Sequence, residues 1–310
     1  MKIVNFTKMI VHGGAHVHRD DFLCMAIAWA AYETIEVIKR RDPNPYELAD
    51  PKCLVCDVGG VYDPKLHNYD HHQFDPATDT RCAFDLFVSA EGLDFNGFRP
   101  DLMPWLTATS MMDTQGPYKT AQHYNMAPDA LMAVLSPVES VILDWIGRAE
   151  VIERGSHVSR LLHRVGHELA TQAADMSVKF NVARQMVSEA RALVDRDGNP
   201  TGVYAVFTQD TVDGTMHKAL NTARKGHGEI GICVSRDDRG DGFALYRFDD
   251  HPQVDFTRLA DDPRVTFAHP GGFIAKTVNI TPVEALCLAG FATTPPLVTV
   301  LKFGGYSDPE

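Results

Sequence analysis

The chain has 310 residues, of which 45% are hydrophobic and 23% are charged, and its formal net charge at pH 7 is -12. This length and composition predict a globular protein with two domains. The acidic balance argues against a protein that follows long duplex DNA through a broad basic surface, whereas a short anionic substrate held by metal ions remains compatible.

The sequence also indicates a compartment and a redox state. It has no apolar run of about 18 or more residues, and its first residues lack the apolar core and cleavage site of a signal peptide. We therefore expect a cytoplasmic protein whose six cysteines are reduced thiols. Cys53 and Cys56 have the spacing of zinc or redox ligands, but they lie in an apolar stretch without a second pair. This context favours buried core thiols.

The first sixty residues alternate between two hydrophobic patterns. Apolar runs typical of strands are KMIVHGG at 8–14, IEVIKRR at 35–41 and CLVCDVGG at 53–60. Between them, residues 20–35 have helical spacing after an acidic first turn, and residues 44–50 match a short helix. Strands that alternate with helices predict a parallel sheet, and ligands bind such sheets at the carboxyl ends of the strands.

A long helical region and a second alternation make up the rest of the chain. Residues 137–195 are predicted to be helical throughout, and the turn residues DRDGNP follow them. Further strands are predicted at 202–207, 229–235 and 242–248, with helices at 214–225 and 254–262. The predicted fold class is therefore α/β, with a parallel-sheet N-terminal domain and helical connection at 1–198. A smaller α/β C-terminal domain is predicted at 199–310.

Histidines and aspartates cluster at the predicted strand ends. The first cluster contains His12, His16, His18, Asp20 and Asp21. Asp57 ends the third predicted strand, and the stretch VYDPKLHNYDHHQFDP after it contains the triplet Asp70, His71 and His72.

Mixed carboxylate and imidazole sets suit manganese, iron or zinc better than magnesium. A carboxylate that can bridge, with imidazoles and carboxylates on both sides, is typical of a two-metal hydrolytic site. Asp63, His67 and Asp75 in the same stretch are interpreted as loop and turn residues rather than ligands.

Two segments resemble a known family. DVGGVYDPKLHNYDHHQFD at 57–75 closely resembles a segment of the melanocyte-proliferating-gene (MYG) family, a branch of the DHH phosphoesterase superfamily. VTFAHPGGFIAKTVNITPVEALCLA at 265–289 resembles the C-terminal segment of that family. The resemblance implies a DHH-type N-terminal domain and a DHHA-like substrate-binding domain. It also implies a manganese-dependent phosphodiesterase, exonuclease or pyrophosphatase.

The resemblance also implies roles for individual residues. Asp57 resembles the bridging carboxylate, His71 the metal-binding histidine of the Asp-His-His motif, and His72 its substrate-facing partner. Asp70 is expected to orient the loop or the imidazoles without binding metal itself. Asp113 lies where the superfamily has a fourth acidic ligand, and only the resemblance distinguishes it from an ordinary acid at a helix end.

The first motif departs from the family pattern. The segment HGGAHVHRDD carries one extra residue and has Asp21 where the family has glutamate. His12, His18 and Asp20 are the expected metal ligands. His16 offers the four-residue spacing to Asp20 found in the wider superfamily, so the choice between His12 and His16 as the outer ligand stays open.

The C-terminal segment contains a candidate anion site. Gly271 and Gly272 permit a tight turn and a close approach of the backbone to an anion, while His269 and Lys276 offer positive charge. A simple β-turn is the alternative interpretation. The resemblance to the DHHA-type domain favours a clamp for the end of a nucleotide chain.

The residues and the resemblance lead to one functional hypothesis. We expect a metal-dependent phosphoesterase with two divalent ions, manganese serving best and magnesium, iron or zinc as alternatives. The expected substrate is RNA or a short oligonucleotide, cleaved from 3′ to 5′ between the two domains. A small-molecule or cyclic-dinucleotide phosphohydrolase and a noncatalytic nucleotide-binding or metal-binding regulator are the alternatives. A homodimer is compatible with the sequence, and no membrane partner is expected.

Overall fold

A computed structural model describes residues 5–91, 103–133 and 137–294 of the chain. The chain divides into two compact units, Met1–Ser177 and Val178–Glu310, and the division lies within one long helix. Each unit contains a six-stranded sheet with helices. The predicted α/β class is therefore confirmed.

The first unit begins with alternating strands and helices. Its elements are β1 (Lys8–Val11), α1 (Arg19–Ala31), β2 (Val37–Arg40), α2 (Pro45–Leu48), β3 (Cys53–Cys56), β4 (Tyr62–Asp63), β5 (Asn68–Tyr69), α3 (Ala83–Ala90), α4 (Pro104–His123), α5 (Pro128–Ala133), α6 (Pro137–Gly147) and β6 (Val151–Glu153). The helix α7 (His157–Ser188) follows and contains the division between the units.

The first sheet has the strand order β4-β5-β3-β1-β2-β6. The central strand β1 is parallel to both β2 and β3, and β3 is parallel to β5. The edge strands β4 and β6 pair antiparallel with their neighbours. Because β1, β2, β3 and β5 run in the same direction, their carboxyl ends lie along one edge of the sheet.

Apolar side chains cover both faces of the central strands, as a buried parallel sheet requires. Met9 and Val11 pack in one cluster with residues of α1 and α3, whereas Ile10 packs on the other face with Cys53 and Val55. Cys53 and Cys56 are free thiols with no exposed surface. The interpretation of this pair as core residues is confirmed.

The prediction of continuous helix over 137–195 is wrong in two places. Residues 151–153 form β6 at the edge of the first sheet, and Arg191–Val194 form β7, which pairs with a strand of the second sheet. Both strands are short. β6 pairs with β2, which lies far earlier in the chain, and β7 forms a hairpin with β8, the next strand. Local periodicity could therefore not distinguish them from the helices beside them.

The second unit contains β7, β8 (Pro200–Thr211), α8 (Gly214–Ala223), β9 (Ile230–Arg236), β10 (Phe243–Arg247), β11 (Val265–Ala268), β12 (Ile274–Thr277) and α9 (Pro282–Phe291). Its sheet has the order β11-β12-β10-β9-β8-β7, and only β8 and β9 pair in parallel among the described strands. The helix predicted at 254–262 is a single 3-10 turn at Phe256–Leu259. Within the described ranges, no helix is both long enough and apolar enough to cross a membrane.

The helices α1 and α7 approach each other closely at Gly166. A β-carbon at this position would lie 2.0 Å from the backbone oxygen of Ala26 and 2.9 Å from the side chain of Ala30. The absence of a side chain at Gly166 therefore permits the contact with the helix that begins at Arg19.

We expect Gly166→Ala to lower the free energy of unfolding by about 1–3 kcal/mol, because the new methyl group overpacks against a rigid backbone. In an unobstructed helix the same substitution stabilises by up to about 1 kcal/mol. Urea unfolding followed by circular dichroism measures the change. Arg164→Ala, at an exposed position of the same helix, is the control and should change the value by less than about 0.5 kcal/mol. A stabilised Gly166→Ala protein would contradict the described packing of the two helices.

Candidate metal centre

The parallel pairing of β1 with β3 brings the first two candidate ligands together. Val11 at the end of β1 is in register with Cys56 at the end of β3. His12 and Asp57 directly follow these residues, so they lie side by side at the carboxyl edge of the sheet. Asp57 has a left-handed backbone with φ 58°, which aspartate tolerates better than most residues, and it is 1% exposed.

Two helices add the next ligands. His18 is the N-cap residue of α1, and Asp20 and Asp21 occupy the first turn and are fully buried. Acidic residues favour a helix N-terminus, and Asp21 Oδ2 accepts a hydrogen bond of 3.2 Å from the backbone N–H of His18. Asp113 lies on α4, one turn before the helical geometry is interrupted at Gly116, where φ is 77°.

The side chains at this edge form three overlapping groups that could hold metal ions. In each group the candidate ligand atoms lie within 4.8 Å of one another. The groups are His12, His18, Asp21 and Asp57; Asp57, His71 and His72; and Asp20, Asp57, His71 and Asp113. Asp57 belongs to all three, as a carboxylate that bridges two ions would.

Buried atoms without hydrogen-bond partners show that these residues fit a cation. They are His12 Nδ1, both carboxylate oxygens of Asp20 and Asp21 Oδ1. A buried polar atom without a partner is costly, and native proteins rarely leave several in one place. Divalent ions coordinated by these oxygen and nitrogen atoms would remove the cost.

The pKa shifts in the cluster show how strongly the residues repel or attract one another. Burial raises the pKa of Asp20 well above its usual value, and the neighbouring carboxylates of Asp57, Asp113 and Asp21 raise it further. Burial likewise raises the pKa of Asp21 to about 6. Burial acts to lower the pKa of His71, but the carboxylates of Asp113 and Asp57 raise it to about 10. Without a metal ion, protons therefore occupy part of the cluster.

The residues of the Asp-His-His triplet make two kinds of contact: His71 contacts other candidate ligands, whereas Asp70 accepts hydrogen bonds from the backbone. His71 Nε2 lies 3.0 Å from Asp57 Oδ1 and 3.1 Å from Asp113 Oδ2. Asp70 belongs to none of the three groups; it accepts hydrogen bonds from the backbone N–H groups of Gly60 and His72 at 2.6 and 2.9 Å. Burial acts to raise the pKa of Asp70, but these N–H donors hold it below its usual value.

Asp70 also fixes the ring of His72. Asp70 Oδ1 lies 2.7 Å from His72 Nδ1, and the His72 side chain is 60% exposed. This contact directs the imidazole and leaves its other ring nitrogen for a different partner. His72 Nδ1 is 3.9 Å from Asp57 Oδ1, so the geometry also admits His72 into the ligand set.

The structure separates the two histidines between which the sequence left a choice. His12 lies in a group with His18, and the centres of the two rings are 5.4 Å apart. The His16 side chain is 80% exposed, belongs to none of the three groups, and has Nδ1 3.5 Å from Asp144 Oδ1. Asp21 was not among the metal ligands expected from the sequence. Its position beside Asp20, where the family has another acidic residue, glutamate, was the signal that could have identified it.

Arg40, which the sequence analysis did not single out, anchors the histidine-bearing loop. Its buried guanidinium donates hydrogen bonds to the backbone oxygens of Gly14 at 3.0 Å, His16 at 3.1 Å and Gly147 at 2.6 Å. The segment between His12 and His18 is thereby held to the end of α6. In the sequence, Arg40 is marked only by its place in the pair Arg40 and Arg41 at the end of the apolar run IEVIKRR.

The residues predicted to bind substrate lie in the second unit and do not form one group. His269, Gly271 and Gly272 form the turn between β11 and β12. The Gly271 N–H donates to His269 Nδ1 at 2.9 Å, and the Gly272 N–H donates to the His269 backbone oxygen at 2.8 Å. Gly272 has φ 68°, which glycine accommodates without strain. Both amides therefore serve the turn itself.

Lys276 lies in a different setting. Its Nζ is 2.5 Å from Asp237 Oδ1, and it lines a cavity of about 170 Å³ with Arg236, His217 and other residues. None of the three turn residues lines this cavity. In the sequence Lys276 is only four residues from Gly272, so the two were expected to act together. The turn residues instead lie at the end of the β11–β12 hairpin, and Lys276 lies within strand β12.

Comparison with known families gives one match that covers residues 8–196, to the family model MYG1_exonuc, described as "Uncharacterised protein family (UPF0160)". All the residues of the candidate metal centre lie within the matched range.

Curated relatives match a shorter part of the chain. The chain is 34% identical over 110 residues to the MYG1 exonuclease of Rattus norvegicus and 33% identical over 111 residues to the MYG1 exonuclease of Homo sapiens. The MYG1 exonuclease of Mus musculus is 33% identical over 110 residues. Each alignment covers 33% of this chain and 28% of the relative.

We expect His12→Ala to reduce the manganese bound per chain, whereas His16→Ala should leave it unchanged, because only His12 lies among the candidate ligand atoms. The two variants remove the same side chain from the same loop, so each controls for the other. Inductively coupled plasma mass spectrometry after equilibration with Mn²⁺ and gel filtration measures the ratio. Greater loss in His16→Ala would reverse the assignment of the outer ligand.

We also expect the affinity for Mn²⁺ to increase with pH. His71, with a pKa of about 10, holds a proton that the metal must displace, and the raised pKa of Asp20 acts in the same direction. Between about pH 6 and about pH 8 the affinity should increase by up to about tenfold per pH unit for each proton released. Isothermal titration calorimetry in buffers of different ionisation enthalpy measures both quantities. A pH-independent affinity without proton release would contradict this arrangement of charges.

Proposed function

Since the chain belongs to the MYG1_exonuc family, we propose that it is a metal-dependent phosphodiesterase that removes nucleotides from the 3′ end of RNA or short oligonucleotides. The family predicted from the Asp-His-His segment is thereby confirmed. The observation that carries the proposal is the position of Asp57, whose carboxylate is common to all three candidate metal groups. The exonuclease names of the relatives support the choice of a nucleic acid substrate.

The proposed centre uses six residues expected from the sequence together with Asp21. One ion would be held by His12, His18 and Asp21. The other would be held by Asp20, His71 and Asp113, and Asp57 would bind both ions. Two divalent ions held there, for which we propose Mn²⁺, would supply an activated water and would neutralise charge at the phosphorus.

His72 and Asp70 have separate roles in this proposal. When its ring carries a hydrogen on both nitrogens, His72 donates a hydrogen bond from Nε2 to a phosphate oxygen and stabilises the charge that develops there. Asp70 acts as a positioning residue, because its carboxylate accepts the His72 backbone N–H and contacts the ring nitrogen on the other side. His72 is therefore directed toward substrate by a side chain that is itself anchored to the Gly60 backbone.

The second unit contains its own candidate contacts for an anionic substrate. Lys276 and Arg236 offer positive charge at the cavity that they line, although Asp237 and Asp238 partly neutralise Lys276. The turn at His269, Gly271 and Gly272 shapes the hairpin that ends in the strand of Lys276. A net charge of -12 disfavours long duplexes, so local cations matter for any anionic substrate.

The test compares His71→Ala and His72→Ala in the protein loaded with Mn²⁺, using a five-nucleotide RNA labelled at its 5′ end. Wild-type protein should produce a ladder that shortens from the 3′ end. His71→Ala should lose metal and activity together. His72→Ala should keep its metal but cleave about 10²- to 10³-fold more slowly, the effect expected from loss of one charge-stabilising donor.

His16→Ala is the matched control and should behave as wild type, because its side chain lies outside the candidate groups. Faster hydrolysis of a cyclic dinucleotide than of RNA would favour the small-molecule alternative. Binding of RNA without turnover of RNA or of an aryl phosphodiester would favour a noncatalytic regulator. Undiminished cleavage after chelation would contradict a metal-dependent enzyme.

A further inference from the structure

A cavity of about 430 Å³ opens beside the candidate metal centre within the first unit. Its lining includes His18, Asp20 and Asp113, which are candidate metal ligands. A molecule in the cavity would therefore reach the metal centre directly. The volume is in the range of sites for small organic ligands, which is about 300–1,000 Å³.

Apolar and hydroxyl-bearing residues also line the cavity. Val17, Met112 and Leu143 contribute the apolar surface, while Thr109 and Ser140 contribute hydroxyls. The Thr109 hydroxyl donates to the backbone oxygen of Trp105 at 2.9 Å and keeps acceptor capacity. This lining suits the base or sugar of a nucleotide, which has flat apolar surface and a few polar groups.

Arg19 is the only lysine or arginine among the described residues that line the cavity. It lies between His18 and Asp20 in the sequence and forms a bidentate ion pair with Glu139. Its Nε is 2.5 Å from Oε1 and its Nη2 is 2.8 Å from Oε2. The two side chains are 30% and 36% exposed, so a ligand can reach the pair.

We propose that this cavity binds one nucleotide of the substrate and that Arg19 binds its phosphate in place of Glu139. The inference rests on the proposed function and names the group that recognises the substrate. A guanidinium binds a carboxylate and a phosphate through the same forked geometry. Glu139 therefore occupies, in the free protein, the position that a phosphate takes in the complex.

This exchange gives Arg19 and Glu139 opposite effects on binding. Loss of Arg19 removes charge-assisted hydrogen bonds to the phosphate, which weakens binding by about tenfold or more. Loss of the Glu139 charge removes a carboxylate that competes with the phosphate for Arg19 and that repels the phosphate. A half-exposed ion pair is weak, so the gain in affinity should be about two- to fivefold. A pair that only held α1 to α6 would weaken binding in both variants.

The experiment measures the binding of adenosine 5′-monophosphate and of adenosine to the protein loaded with Mn²⁺ by isothermal titration calorimetry. Arg19→Ala should weaken binding of the monophosphate and reduce the preference for it over adenosine. Arg19→Lys should lie between Arg19→Ala and wild type, because lysine keeps the charge and loses the fork. Glu139→Gln should tighten binding of the monophosphate. In the double variant, Glu139→Gln should give no gain over Arg19→Ala alone.

The ion pair of Arg164 and Glu168 on α7 is the matched control, since it is exposed and does not line the cavity. Arg164→Ala and Glu168→Gln should leave nucleotide binding unchanged. Thermal unfolding identifies any variant that does not fold, and Arg19→Lys and Glu139→Gln keep the test valid if Arg19→Ala fails.

Weaker binding in both Glu139→Gln and Arg19→Ala, or an unchanged preference for the monophosphate in Arg19→Ala, would overturn the inference. Failure of the proposed function is distinguishable from these results. It would appear as an absence of RNA and aryl phosphodiester hydrolysis in wild-type protein, whereas the binding pattern of the four Arg19 and Glu139 variants reports on the cavity by itself.

Discussion

Mutual repulsion of buried carboxylates is the constraint on which the arrangement of the first unit depends. Asp20, Asp21 and Asp57 have almost no exposed surface, and Asp113 lies close to two of them. Several negative charges in so small a volume are stable only if protons or cations neutralise them. The pKa of His71, raised to about 10, indicates that a proton on its ring takes part of this role without metal. Divalent ions at the same atoms would neutralise the charge and satisfy the unpaired oxygens.

The scaffold around the cluster is built to hold it in place. Parallel pairing fixes His12 beside Asp57, and the first turn of α1 presents two carboxylates that also favour the helix N-terminus. The Arg40 guanidinium donates hydrogen bonds to the backbone oxygens of His16 and Gly147, and so holds the loop of His16 to the end of α6. Glycine at positions 147 and 166 permits close backbone approaches that a methyl group would obstruct. Rigid support of this kind keeps ligands in position despite their mutual repulsion.

Arg19 is the one lysine or arginine among the described residues that line the cavity beside the cluster, and this gives it its importance. Arg40 is buried and donates to backbone oxygens, so its contacts are committed to the fold. Arg19 reaches an accessible cavity beside Asp20, and its partner there is a single carboxylate. In a protein with net charge -12, an anionic substrate needs such local cations to approach an acidic centre.

The sequence by itself determined the α/β class, the alternating elements of the first sixty residues and the two clusters of candidate ligands. These features depend on local periodicity and on residue types at strand ends, which neighbouring residues in the chain already specify. The Asp-His-His segment was also sufficient to identify the family, because its residue pattern is dense. Tertiary structure decided the rest. The edge strand at 151–153 exists because β2, far earlier in the sequence, pairs with it. Only long-range folding separates His12 from His16, adds Asp21 to the candidate ligands, and brings Arg19 to Glu139 across 120 residues. Such contacts arise where distant segments meet, and the local sequence does not encode which segments will do so.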